Sequence, residues 1–161
     1  MNLGKTLIIL ASLVLFGAGC SQGIDFDIPP EIRYGEDVCD ACSMIISEPR
    51  FAAAYYTDPG DVRRFDDIGD MCRYHIQNRE PVARFWVHDY DTEAWLLAKD
   101  AAFVMSDGLY TPMASGVVAF SNLERARTFA DESKGLLMSF DELMDVYARA
   151  ESGNMHTEMN N

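Results

Sequence analysis

The stretch Phe51-Ala52-Ala53-Ala54-Tyr55-Tyr56-Thr57-Asp58-Pro59-Gly60-Asp61-Val62-Arg63-Arg64-Phe65-Asp66-Asp67-Ile68-Gly69 decides the fold. Phe51 to Thr57 and Val62 to Phe65 read as short strands, and Asp58-Pro59-Gly60-Asp61 between them is a strong turn signal, so the pair predicts a β-hairpin. Asp66 or Asp67 can cap a helix that runs to about Asn78, and Pro81 stops the segment. Upstream, Ser43 to Ser47 reads as a third short strand, set off by Glu48-Pro49-Arg50. The expected first unit, residues 37–81, is therefore of ββα type.

Residues 82–151 repeat the same grammar in longer form. Val82 to His88, Glu93 to Leu97, Ala102 to Met105 and Val117 to Phe120 are strand-like. Ser121-Asn122-Leu123-Glu124 matches a capping box that opens a helix to about Ser133. Ser139-Phe140-Asp141-Glu142 matches a second, opening a helix to about Glu151. A hairpin followed by a helix, twice over, predicts an α+β fold of two related ββα-type units, with helices covering one face of antiparallel sheets. No residue-level repeat accompanies the pattern.

The ends of the chain carry other signals. Lys5 followed by an apolar run from Leu7 to Phe16, too short to span a bilayer, reads as an export signal over residues 1–19. Gly17-Ala18-Gly19 then leads to Cys20 in the manner of a bacterial lipobox, which predicts lipidation at Cys20 and a protein anchored in the cell envelope, facing the periplasm. Ser21 follows in place of an acidic residue, so the outer membrane is the expected destination. Residues 20–36, with Pro29-Pro30, read as a tether, and 152–161 as a disordered polar tail carrying Met155, His156 and Met159. The formal net charge of −13 excludes nucleic acid and a polybasic membrane-surface role, since both require clustered Lys and Arg.

Chemistry concentrates in Cys39-Asp40-Ala41-Cys42-Ser43-Met44. Two thiols and a thioether within six residues form a soft donor set that selects Cu(I), Zn(II) or iron–sulfur clusters, and the thioether favours Cu(I) over a structural zinc site. With Cys20 lipidated, Cys39, Cys42 and Cys72 remain, an odd number that cannot pair completely within one chain. A zinc site of four cysteines is excluded, and His75 and His88 share no standard zinc spacing with the first two cysteines. No phosphate-cradling glycine loop, nucleophile elbow or His-Glu-x-x-His run occurs, which argues for binding rather than catalysis.

Three motifs together resemble a known family: Val38-Cys39-Asp40-Ala41-Cys42-Ser43-Met44-Ile45-Ile46 with Phe51-Ala52-Ala53, then Arg64-Phe65-Asp66-Asp67-Ile68-Gly69, then Thr111-Pro112-Met113 with Gly116 and Ala119-Phe120. In this order, across about residues 36–147, they are similar to the NosL family of copper-chaperone lipoproteins. The resemblance implies a monomeric Cu(I)-binding lipoprotein of denitrification. It would deliver copper to the maturation machinery of nitrous oxide reductase, which includes a periplasmic factor working with an ABC-type transporter. Carried onto this chain, the family's metal site falls on Cys42 and Met44, with Met113 as a distant third ligand. Ser43 departs from the family, which usually has glycine there.

Blander readings stand beside these. Cys39 and Cys42 can form a disulfide or a redox pair, which makes an envelope thiol–disulfide protein the main alternative function. A NosL-like chaperone serving a different copper enzyme is another. Cys39 is thus either a further ligand or the redox partner of Cys42. Met44 and Met113 can be ordinary gap-filling core, and Cys72 a buried small hydrophobe. Asp66-Asp67 reads as capping and tight-turn chemistry.

Overall fold

The structure, a computed structural model, describes residues 24–158, with side chains through Gly153. The expected export signal, Cys20, and the side chains of Met155, His156 and Met159 lie outside the described residues.

The hairpin forms as β1 (Ala53–Thr57) and β2 (Val62–Phe65), in the register Ala53 to Phe65 and Tyr56 to Val62. Its turn closes through Gly60 N–H to the Thr57 carbonyl at 2.7 Å and Asp61 N–H to Thr57 Oγ1 at 2.9 Å. Asp67, rather than Asp66, caps α1 (Ile68–Asn78) by accepting from the Gly69 N–H at 2.7 Å. The helix ends on Arg79 in the left-handed conformation, φ 53°.

The chain then returns as β3 (Val82–His88), which pairs antiparallel with β1, and β4 (Trp95–Leu97) adds to β3. The first sheet has the order β2-β1-β3-β4. A second hairpin, β5 (Ala102–Met105) and β6 (Val117–Phe120), leads to α2 (Leu123–Ser133), and β7 (Leu136–Met138) returns to β5 in the order β6-β5-β7. Both sheets are antiparallel, and α3 (Phe140–Glu158) closes the fold. The α+β expectation holds, and the repeat is more exact than the sequence pattern. Each unit is ββαβ, with the first strand central between the second and the fourth element. Each helix has 11 residues, opens on a side-chain cap (Asp67, Asn122) and ends on a left-handed basic residue (Arg79, Lys134) at φ 53°.

Several expectations change. The border expected at residue 81 cuts through the first sheet, because β3 lies beyond it and pairs with β1. Strand β7 is an addition to the expected elements, since Leu136-Leu137-Met138 is too short to show a period. Ser43 to Ser47 is not a strand; it closes a tight loop through a single bridge, Val38 to Ile45. The α2 cap is Asn122, one residue after the expected Ser121, whose N–H and hydroxyl instead donate to Asp89. The box at Ser139 and Glu142 forms reciprocally, with bonds of 2.8 and 3.3 Å.

The residues expected as a tether are packed against the domain from Ile24 onward. Phe26 meets Tyr56 edge-on at 5.5 Å, Pro30 and Ile32 are buried, and Tyr34 Oη lies 2.9 Å from His88 Nε2. Two apolar side chains and a rigid Pro-Pro step outweigh the local polarity that reads as linker. The tail expected from Ser152 continues α3 as helix to Glu158, since nothing before that residue forces a stop.

Helices do not cover one face only. In β5, Phe103 joins the main core with Tyr55, Phe65, Met71 and Leu143, while Val104 joins a second cluster with Val118, Phe120 and Ala126 beneath α2. The second sheet is therefore buried on both faces, which explains why Val117-Val118-Ala119-Phe120 is a continuous apolar run. Among the described residues no helix is long and apolar enough to cross a membrane.

Candidate metal centre

The Cys-x-x-Cys segment owes its shape to backbone bonds. Cys39 N–H donates to the Met44 carbonyl at 2.8 Å, Ser43 N–H to the Cys39 carbonyl at 3.0 Å, and Ile46 N–H to the Asp37 carbonyl at 2.9 Å. The loop closes only with Ser43 in the left-handed region, φ 63°. That is the position where the resembling family usually has glycine, and a serine there costs about 1 kcal/mol. The tight turn directs both sulfurs inward: Cys42 N–H reaches Cys39 Sγ at 3.4 Å, Cys39 is buried, and Cys42 is half-buried.

The thiols meet the start of α1. Cys42 Sγ lies 3.4 and 3.6 Å from the two oxygens of Asp66, to which its S–H donates. Asp66 and Asp70 are buried, and donor atoms of Cys39, Cys42, Asp66 and Asp70 all lie within 4.8 Å of one another. Arg73 holds Asp70 by an ion pair at 2.5 Å, one turn along the helix. Burial pushes the Cys39 thiol up to about 12, against the pull of backbone N–H groups from Cys42, Asp66 and Ala41. Burial also raises Cys42, assisted by the neighbouring Asp66. Burial likewise raises Asp70, with the charge of Asp67 adding to it and Arg73 opposing it. Both thiols are therefore protonated at neutral pH until a cation displaces the protons.

Met113 arrives from the loop between β5 and β6. A cavity of about 220 Å³ is lined by Ala41, Cys42, Asp70, Arg73, Tyr74, Gln77 and Met113, so Cys42 and Met113 face one space. Asp67 fixes this approach: its Oδ2 accepts from Thr111 Oγ1 at 2.7 Å and from the Met113 N–H at 3.1 Å, while its Oδ1 caps α1. Gly69 is required beside it, because a Cβ there would collide with Tyr147 Oη of α3 and the side chain of Ser115. One buried carboxylate thus locks the Thr-Pro-Met turn to the helix start that follows Asp66 and carries Asp70.

The structure brings Cys39, Cys42 and Met113 to this centre but not the Met44 side chain. Met44 is 52% exposed and does not line the cavity. Cys72 is fully buried inside α1. His75 and His88 are packed among aromatic rings, His88 with Nδ1 2.9 Å from the Ala52 carbonyl. Sequence reasoning missed Asp66 and Asp70 as members of the site, reading Asp66 only as a cap. No local signal marks them, because Asp66 lies before the helix cap and meets Cys42 only through the fold.

The donor set fits a soft cation. A thiolate with a thioether in a half-enclosed cavity suits Cu(I), whereas a redox cysteine needs a lowered thiol pKa, for instance at a helix N-terminus. Here burial raises both thiols, and the pair sits in a turn.

A family model, NosL, matches residues 32–148 of the chain. Comparison with curated proteins finds no match. Among solved structures, the crystal structure of the copper chaperone NosL from Shewanella denitrificans is similar over 71% of this chain and 96% of that one. The TM-score is 0.62 at 24% identity, a likeness of fold.

Proposed function

The chain belongs to the NosL family, and from that premise we propose that it is a Cu(I)-binding chaperone of the cell envelope rather than an enzyme. The observation that carries this reading is the convergence of Cys42 and Met113, from two separate loops, on one small cavity. Copper is the cargo. Cys42 supplies the anionic donor and Met113 a neutral one, and the exposed Met44, two residues after Cys42, turns in to complete the set when copper binds. A centre of low charge and few donors holds Cu(I) yet yields it to a partner. The similar fold of a copper chaperone supports the same assignment.

In this proposal the chain acts as a monomer, lipid-anchored at Cys20 and facing the periplasm from the outer membrane. It hands copper to the maturation machinery of nitrous oxide reductase, a periplasmic factor working with an ABC-type transporter. Competition with a chromophoric Cu(I) chelator under reducing conditions tests the core claim. Wild type should bind one Cu(I). Cys42→Ser should abolish tight binding, and Met113→Ala and Met44→Ala should each weaken it by roughly an order of magnitude. Wild-type affinity in the Cys42 variant would move the site elsewhere.

A further inference from the structure

The packed segment before the Cys-x-x-Cys loop has a direction. Ile24 rests on the β1–β2 turn, so closely that a Cβ at Gly60 would collide with Ile24 Cδ1. Phe26 packs on Tyr56, Asp27 is bound to Arg84 of β3 at 3.3 Å, and the Ile28 N–H donates to the Asp25 carbonyl at 3.2 Å. The chain then runs to the other end of the sheet, where the Glu31 carbonyl accepts from Arg64 Nε at 2.8 Å and Tyr34 meets His88. It starts at the hairpin turn and finishes beside the metal centre. Ile24 and Ile28 stay 48% and 59% exposed.

From this arrangement, and resting on the lipid anchor proposed above at Cys20, we propose that the turn end of the first sheet, with Ile24 and Ile28, is a membrane-docking surface. It lies on the leaflet that carries the anchor and holds the metal centre facing away from the bilayer.

Two lengths carry the assignment. Cys20 precedes Ile24 by four residues, a reach of about 14 Å when fully extended. A free linker over residues 20–36 would let every face of the domain meet the bilayer; so short a leash admits only the end that holds Ile24. In the opposite direction the chain passes through β2 from Gly60 to Asp66, at about 3.3 Å per residue, so the metal centre stands roughly 20 Å farther out. The exposed isoleucines supply the apolar contact. Two such side chains are too small a payload to bring a protein to a bilayer, but a covalent anchor holds them at high local concentration, and they then need only orient the domain. Asp25, Asp58 and Asp61 are exposed at this end against Arg79, an acidic balance that fits zwitterionic headgroups and disfavours an anionic leaflet.

The test uses the full lipidated chain in phosphatidylcholine vesicles whose acyl chains carry bromine, a short-range quencher of tryptophan. Two reporters are compared over the constant background of Trp86 and Trp95: Ile28→Trp at the turn end, and Tyr110→Trp beside the Thr-Pro-Met turn, both replacing exposed side chains. The Ile28→Trp signal should be quenched at least about threefold more than the Tyr110→Trp signal, and a ten-residue Gly-Ser insertion after Ser21 should erase most of that difference. Amide hydrogen exchange of the wild-type chain decides the matter without variants: vesicles, compared with detergent, should slow exchange at residues 24–28 and 58–61 but not at 107–113. Equal quenching at the two positions, stronger quenching at position 110, or protection of 107–113 would overturn the docking surface while leaving the anchor intact. An unmodified Cys20 by mass spectrometry, with a chain that fails to float with vesicles, would overturn the anchor itself.

Discussion

Replacing Asp67 with asparagine should cost stability and copper affinity together, because one fully buried carboxylate serves three donors on two elements. Its Oδ1 takes the Gly69 N–H at 2.7 Å, and its Oδ2 takes Thr111 Oγ1 at 2.7 Å and the Met113 N–H at 3.1 Å. An amide can place its oxygen on one side only. With NH2 toward Gly69 the cap is lost, at about 1 kcal/mol; with NH2 toward the loop, the Thr111 hydroxyl can rotate but the Met113 N–H cannot. The surviving bonds lose charge assistance, worth roughly another 1–2 kcal/mol in sum. Relief of the repulsion that Asp67 exerts on Asp70 returns on the order of 1 kcal/mol. The net loss is about 1–2 kcal/mol, a melting temperature lower by roughly 3–10 °C for a domain of this size. Freed from its anchor, Met113 should lose alignment with Cys42, and Cu(I) affinity should fall, at most as far as in Met113→Ala. Circular-dichroism melts and chelator competition read the two effects. Asn122→Ala is the matched control: it removes the equivalent cap of α2, far from the metal centre, and should lower stability by about 1 kcal/mol with copper affinity unchanged. If Asp67→Asn melts like wild type, or melts early yet binds Cu(I) normally where Met113→Ala does not, the anchoring argument fails.

Three further outcomes are expected. Since burial raises the Cys42 thiol and the metal must displace its proton, Cu(I) affinity should climb up to about tenfold per pH unit below the thiol pKa, and chelator competition across pH 6 to 8.5 with a flat profile would refute this. Ser43→Gly should relieve the left-handed strain and stabilise the fold by about 0.5–1 kcal/mol in thermal denaturation, and an unchanged or lower melting temperature would refute this. Burial alone would raise the Asp89 carboxylate, but hydrogen bonds from Ser121 and Thr92 outweigh it and hold Asp89 at about 2, so its contribution of about 2 kcal/mol is fully present above pH ~4 and lost as pH falls toward 2. Asp89→Asn should flatten stability over that acid window in denaturant titrations.

How much of this was legible in the sequence depends on whether the signal was local. The turn at Asp58-Pro59-Gly60-Asp61, the box at Ser139 and Glu142, and the Cys-x-x-Cys-x-Met cluster are each written within a few neighbouring residues, and each can be read without tertiary knowledge. Strand β7 and the packed segment from Ile24 to Tyr34 could not be read that way, because their order comes from partners: β5 for the one, Tyr56 and His88 for the other. The same distinction governs the centre. Cys42 declares itself by its neighbours, whereas Asp66 and Asp67 look alike in sequence and differ only in what the fold places opposite them. Asp66 faces a thiol and Asp67 faces the Met113 turn.

The duplicated ββαβ unit explains why the centre lies where it does. In each unit the helix cap sits at the end of the second strand, so the first unit offers a helix start, at Asp67, directly beneath the Cys-x-x-Cys loop. The second unit contributes no such start to the centre; its cap, Asn122, serves α2 alone. It contributes instead the long connection between β5 and β6, whose counterpart in the first unit is the short Asp58-Pro59-Gly60-Asp61 turn. Lengthening that one hairpin lets Thr111 and Met113 cross to the other unit's helix, and Gly69 leaves the room that Ser115 of the same connection and Tyr147 of α3 occupy beside them. The pocket is therefore made from the asymmetry between two otherwise similar halves. A substitution that loosens the docking of the halves, such as Gly69→Ala, should consequently weaken metal binding without touching any donor atom.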